Sequence, residues 1–149
     1  MAKFIGVKMI EAVPMRASMA LSAGYKIGNA HPDDMGYEVT YPDGYKSWSP
    51  AKEFEKAYYK LEDPAGDVLK ENDIKRFIKD IENVKVGTKT TNTTLTCLTG
   101  FEVHGQAACV KPENFDLNVG AAYAQIKAED KIWEGLGFVL QWAKYGLKK

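Results

Sequence analysis

Between Thr93 and Gln141 the chain reads TTLTCLTGFEVHGQAACVKPENFDLNVGAAYAQIKAEDKIWEGLGFVLQ, and its hydrophobic pattern changes period part-way along. In the first half Leu95, Cys97, Phe101, Val103, Ala107 and Cys109 occupy odd positions, while Thr96, Glu102, His104 and Gln106 occupy even ones. Such alternation sets one side of an extended chain against a core and the other in water, so a half-buried antiparallel hairpin is expected. Gly100 can adopt the positive φ of a tight connection, which places the expected turn at Thr99-Gly100. Pro112, in Lys111-Pro112-Glu113-Asn114, cannot donate to a sheet ladder and stops the second strand.

From Asn114 or Asp116 onward the period becomes about 3.6, with Leu117, Ala121, Ala124, Ala128, Ile132, Leu136 and Val139 on one face. This predicts a long helix capped by one of those two residues. Ala121, Ala124 and Ala128 leave room for another backbone to approach. A second apolar set, Val119, Tyr123, Ile126 and Trp133, widens the face beyond what one small sheet covers. The helix is therefore either packed centrally on its own sheet or shared with a second copy of the chain.

Upstream, Lys3 to Val13 is expected as a strand ended by Pro14, and Met15 to Ala23 as one or two helical turns. In GYEVTYPDGYKSWSP, Tyr37, Val39 and Tyr41 alternate with Glu38 and Thr40, Pro42-Asp43-Gly44 turns the chain, and Tyr45 to Trp48 returns, which makes a hairpin. Ser49-Pro50 then reads as an N-cap followed by Pro at the first helical position, with Phe54, Ala57, Tyr58 and Leu61 on one face. Glu62-Asp63-Pro64-Ala65-Gly66 combines charge, Pro and Gly and reads as a linker. Asp67 to Glu82 carries Ile74, Phe77, Ile78 and Ile81 at helical spacing. Asn83 to Asn92 is either an added strand or a loop. These elements predict an α+β fold: antiparallel strands packed against a long C-terminal helix, with a small N-terminal strand and hairpin-helix subdomain. The expected division is 1–62, a linker over 63–67, and 68–149.

The composition narrows the function classes. Over 149 residues, 45% are hydrophobic and 27% charged, which fits a folded globular chain and argues against disorder. Lys plus Arg and Asp plus Glu are 20 each, so no net charge draws the protein to nucleic acid or to a membrane surface. The segment MAKFIGVKMIEAV has no signal-peptide pattern, and no run approaches a membrane span. Two cysteines on out-of-register strand positions, Cys97 opposite Glu102, argue against a disulfide and fit a reducing compartment. A soluble, intracellular protein is expected.

Catalytic signatures are missing: the sequence holds no CxxC, HExxH, GxSxG, GxxxxGK or GxGxxG. His31 in His-Pro-Asp-Asp has the donor types of a metal site, yet such runs are ordinarily solvated loops or caps. His104 sits on the polar face of a strand, and Cys97 and Cys109 on the apolar parity, where cysteine acts as a small hydrophobe. The expectation is a binding protein, with no enzyme activity, metal or cofactor.

The segment from Val68 to about Gln141, above all GFEVHGQAACVKPENFD followed by KIWEGLGFVL, resembles the phage N4 gene-49 / phage Sf6 gene-66 family of small phage proteins. That resemblance implies a phage or prophage origin, hence the cytoplasm of an infected bacterium, and no particular reaction. In size and layout the chain is also similar to the small phage proteins that defeat the Thoeris defence by sequestering cyclic ADP-ribose isomers, some of which also bind cyclic oligonucleotides. This second likeness carries no pocket residue across. It implies a sponge for a nucleotide-type signal, for which cations or N–H groups would hold a pyrophosphate, an aromatic face the base, and amides or hydroxyls the ribose. The residues of those types are Lys89, Thr91 and Asn92 before the central hairpin, Lys111, Asn114 and Phe115 after it, where a helix N-terminus favours anions, and the only two arginines, Arg16 and Arg76. The rival readings are an accessory factor that binds a host protein and, less favoured at neutral net charge, a nucleic-acid-binding protein. A homo-oligomer is expected because the long helix carries surplus apolar surface.

Overall fold

In the computed structural model, which describes residues 1–149, Glu11–Pro14 (β1), Gly36–Thr40 (β2) and Lys46–Pro50 (β3) pair antiparallel in the order β1-β2-β3. The β2-β3 hairpin turns where Pro42-Asp43-Gly44 predicts, with Gly44 at φ 89° and the Asp43 carboxylate accepting the Tyr45 N–H at 3.0 Å. The expected strand over Lys3 to Val13 shrinks to Glu11–Pro14, because β2 offers backbone partners only as far as Thr40, opposite Glu11. Helix α1 (Ala17–Ser22) buries Ala17 and Ala20 against Trp48, whose indole N–H donates to the Met15 carbonyl at 2.8 Å. Gly36 is required there: a Cβ would lie 2.3 Å from the Trp48 ring. Helix α2 (Ala51–Ala57) starts one residue later than the sequence suggests, with Pro50 at the N-cap, since the Ser49 hydroxyl turns to the Pro50 carbonyl and caps nothing.

A second sheet follows, formed by Ile78–Val86 (β4), Thr90–Cys97 (β5) and Glu102–Ala108 (β6) in the order β4-β5-β6, all antiparallel. It is preceded by α3 (Glu71–Arg76) and followed by a 3-10 turn at Pro112–Asn114 and the 29-residue helix α4 (Leu117–Tyr145). The chain divides into two compact units, Met1–Lys60 with Trp142–Lys149, and Leu61–Gln141. The antiparallel sheet and long C-terminal helix match the α+β fold read from the sequence.

Two local expectations fail for identifiable reasons, and one open choice is settled. The helix expected over residues 67–82 is α3 alone, and the chain is already β-paired at Ile78, opposite Cys97. Ile74, Phe77, Ile78 and Ile81 happen to satisfy helical spacing, but pairing with β5 overrides local propensity. The undecided stretch 83–92 therefore completes β4, turns, and begins β5, with Gly87 at φ 66°. The β5-β6 connection is Leu98-Thr99-Gly100, one residue longer than expected. Gly100 N–H donates to the Cys97 carbonyl at 2.8 Å, Gly100 has φ 87°, and Cys97 N–H donates to the Phe101 carbonyl at 2.9 Å, a type I turn closed by a left-handed residue. The extra residue is decisive, because a two-residue turn pairs odd with even positions and would send the two apolar sets to opposite faces. The observed register sets Leu95 opposite Val103.

The core of this unit joins Ile74, Leu95, Cys97, Ala128 and Ile132, with Phe77, Ile78, Val103 and Leu136 packed around them. On β5 burial alternates strictly: Thr91, Thr93, Leu95 and Cys97 inside, Thr90, Asn92, Thr94 and Thr96 on the other face. Phe101, expected inside, is 70% exposed because it follows the turn. The stretch read as a linker is tied down by carboxylates. Asp63 accepts the N–H groups of Ala65, Asp67 and Val68 at 3.0 to 3.1 Å, and these bonds hold its carboxyl below the usual carboxylate range. Buried Asp73 accepts from Glu62 N–H, Lys70 N–H and the Arg76 guanidinium, each at 2.9 Å.

Candidate functional site

The end of the second sheet that carries the turn between β4 and β5 gathers four of the eight expected ligand-binding residues, Lys89, Lys111, Asn114 and Phe115. Lys89 faces Cys109 across this end, its carbonyl accepting the Cys109 N–H at 3.0 Å, and Lys111 lies two residues further on. Asn114 N–H bonds to the Lys111 carbonyl and Phe115 N–H to the Pro112 carbonyl, which folds the 3-10 turn back and fixes the half-buried Phe115 ring. Over that ring, 4.7 Å from its centroid, sits the ammonium of Lys85. The result is an aromatic face with a cation on it and two more exposed lysines on adjoining strand ends.

Lys85 was not among the residues singled out from the sequence. Its position depends on residues 78–86 being a strand, which the helical spacing there conceals.

Thr91, Asn92 and Arg76, in the same unit, lie away from this cluster. Thr91 is fully buried beneath α4: its hydroxyl abuts Gly120, where an added Cβ would fall 2.0 Å from Oγ1, and it has no hydrogen-bond partner. Asn92 points to the opposite face of the sheet, where it binds Thr94 and Gln106, both at 3.3 Å. Arg76 lies just before β4, at the far end of that strand, roughly 25 Å from Lys89 by strand rise, and it contacts Asp73 at 2.9 Å. Arg16 belongs to the first compact unit, at the N-cap of α1.

Helix α4 is capped by Asp116, whose Oδ1 accepts the N–H groups of Asn118 and Val119 at 2.9 and 3.2 Å. That decides between the two cap candidates, since Asn114 lies in the 3-10 turn. It also removes the helix N-terminus as a free anion site, because a resident carboxylate already uses those donors.

The outer face of the same sheet holds a groove of about 460 Å³ lined by Asp80, Ile81, Glu82, Thr94, Thr96, Glu102 and His104. Thr94 Oγ1 and His104 Nδ1 are 3.0 Å apart. With three carboxylates this groove repels phosphate and is the poorer place for an anionic ligand. A second recess, beside α3, is lined by Glu62, Lys70, Glu71, Asn72 and Lys75, and Lys75 there is committed to buried Glu129 of α4.

The remaining reactive groups have structural surroundings. Cys97 and Cys109 are free thiols, and burial pushes the Cys97 thiol up, which disfavours the nucleophilic thiolate. His31 Nδ1 accepts the Asp33 N–H at 3.1 Å and Asp34 accepts the His31 N–H at 2.9 Å, an exposed loop network. No group of three or more His, Cys, Asp or Glu side chains is arranged to hold a metal ion. No helix is long and apolar enough to cross a membrane.

No curated protein and no solved structure matches the chain. Residues 69–143, which contain the β4-β5-β6 sheet, the lysine and Phe115 cluster and nearly all of α4, match the family described as Phage protein (N4 Gp49/phage Sf6 gene 66). The chain belongs to that phage protein family.

Proposed function

We propose that this phage protein is a counter-defence sponge: it captures a nucleotide-derived immune signal, a cyclic ADP-ribose isomer or a cyclic oligonucleotide, and holds it without cleaving it. The observation that supports this reading is the Lys85 ammonium 4.7 Å from the Phe115 centroid, with Lys89 and Lys111 at the same end of the sheet. The lysines offer the charge that a pyrophosphate takes, the ring offers a stacking face for a base, and the Asn114 amide can bond a ribose hydroxyl. Lysine presents a point charge without the planar fork of arginine, so capture on this cluster weakens with added salt.

The test is to mix the purified protein with cyclic ADP-ribose isomers and cyclic di- and trinucleotides, filter, and identify what heat releases from the retained protein. A depleted filtrate and intact released ligand are expected. Lys85→Ala and Phe115→Ala are each expected to weaken capture about tenfold or more. Ligand left in the filtrate at excess protein rejects the reading, and a hydrolysed product among the released molecules rejects its non-catalytic part.

A further inference from the structure

The surface of α4 turned away from Ala128 carries an arrangement that is complementary to its own reverse. Outward from the peptide bond between Asp130 and Lys131 come Asp130 and Lys131 themselves, then Lys127 and Glu134, then Tyr123 and Phe138, each pair equidistant from that bond. All six residues are exposed, Tyr123 to 63% and Phe138 to 73%. Each charged residue thus has one of opposite sign at the mirrored position, and each aromatic has an aromatic.

Within one chain these charges gain little, because the opposite pairs three residues apart, Lys127 with Asp130 and Lys131 with Glu134, are offset by like pairs four apart. Lys127 and Lys131 stand four residues apart on one helix face, as do Asp130 and Glu134, and like charges at that spacing repel. None of the four takes part in an ion pair within the chain.

We infer that a second copy of this chain packs its α4 antiparallel against the first, about a two-fold axis passing between Asp130 and Lys131. That axis sets Asp130 opposite Lys131, Lys127 opposite Glu134 and Tyr123 opposite Phe138, each pairing occurring twice, as a closed isologous interface requires. A parallel pairing in register would oppose like charges, so the charge order selects the antiparallel dimer. The inference rests on α4 alone and not on the proposed ligand, and its test is run without nucleotide.

The experiment is sedimentation velocity on the full chain and three variants, with far-ultraviolet circular dichroism confirming that these exposed substitutions leave the fold intact. The wild-type protein is expected to be a dimer. Lys127→Glu and Glu134→Lys each replace two attractive contacts by two repulsive ones and are expected to weaken dimerisation at least about tenfold. The double variant Lys127→Glu/Glu134→Lys restores opposite charges across the axis and, with them, the dimer. A wild-type monomer, an assembly larger than a dimer, an unaffected single variant or an unrescued double variant would each overturn the proposal.

Discussion

Gly105 of β6 lies so close to Ala124 of α4 that a Cβ on the glycine would sit 2.1 Å from the Ala124 carbonyl oxygen and 2.5 Å from the Ala128 nitrogen. Both obstacles are helix backbone, which cannot rotate aside as a side chain can. Gly105→Ala is therefore expected to destabilise the Leu61–Gln141 unit by about 3 kcal/mol or more, read as a lower urea midpoint. An unchanged midpoint would mean that α4 does not pack on β6 as described.

Thr91 supports the opposite kind of prediction. Its buried hydroxyl has no hydrogen-bond partner, so the native state carries the cost of desolvating it and gains nothing in return. Thr91→Val keeps the branched shape and removes the orphan. Stabilisation of about 1 kcal/mol is expected by denaturant titration, and destabilisation would show that the hydroxyl has a partner after all.

Glu129 is 7% exposed on α4, and its carboxylate receives the Lys75 ammonium at 2.5 and 2.7 Å and the Gln125 amide at 3.2 Å. Lys75→Met strands the buried carboxylate. Because the Lys75 side chain is 44% exposed, the expected loss is about 1 to 3 kcal/mol, below the range for a fully buried pair. Lys75→Met/Glu129→Leu removes the whole pair and is expected to recover most of that loss. Failure to recover would show that the two side chains do not act as a unit.

Asp63 makes acid stability depend on the segment read as a linker. Its N–H bonds from Asp67, Ala65 and Val68 lower its folded pKa, so the stability it contributes is present above the ordinary carboxylate pKa and is lost as pH falls through the lowered value. Asp63→Ala is thus expected to lower the unfolding midpoint at neutral pH and to match wild type once the pH is below that lowered value. A difference that persists undiminished into strong acid would assign the effect to something other than the carboxylate's charge.

Much of this architecture was legible because the relevant patterns are local. The β2-β3 hairpin follows from Pro42-Asp43-Gly44, and α4 from seven apolar positions in a single register. The strand β4 was not legible, since Ile74, Phe77, Ile78 and Ile81 satisfy the helical period and only pairing with β5 shows them to be otherwise. The site divides in the same way. The odd-position rule seen at Leu95 and Cys97, extended back along β5, already puts Thr91 inside and Asn92 outside. Lys85 is different: nothing in the sequence near it signals an approach to Phe115, thirty positions away across a strand and a turn.

The two cores also differ in how much chain each must wait for. Ala17, Ala20 and Trp48, with Met15, Tyr25, Ile27 and Ala30, are all available once Trp48 has left the ribosome, so the first sheet can close early in synthesis. Ile74, Leu95 and Cys97 have no cover until Ala128 and Ile132 emerge. During that interval β4, β5 and β6 present a bare apolar face to the cell, and it is then that chaperone capture or aggregation competes with folding.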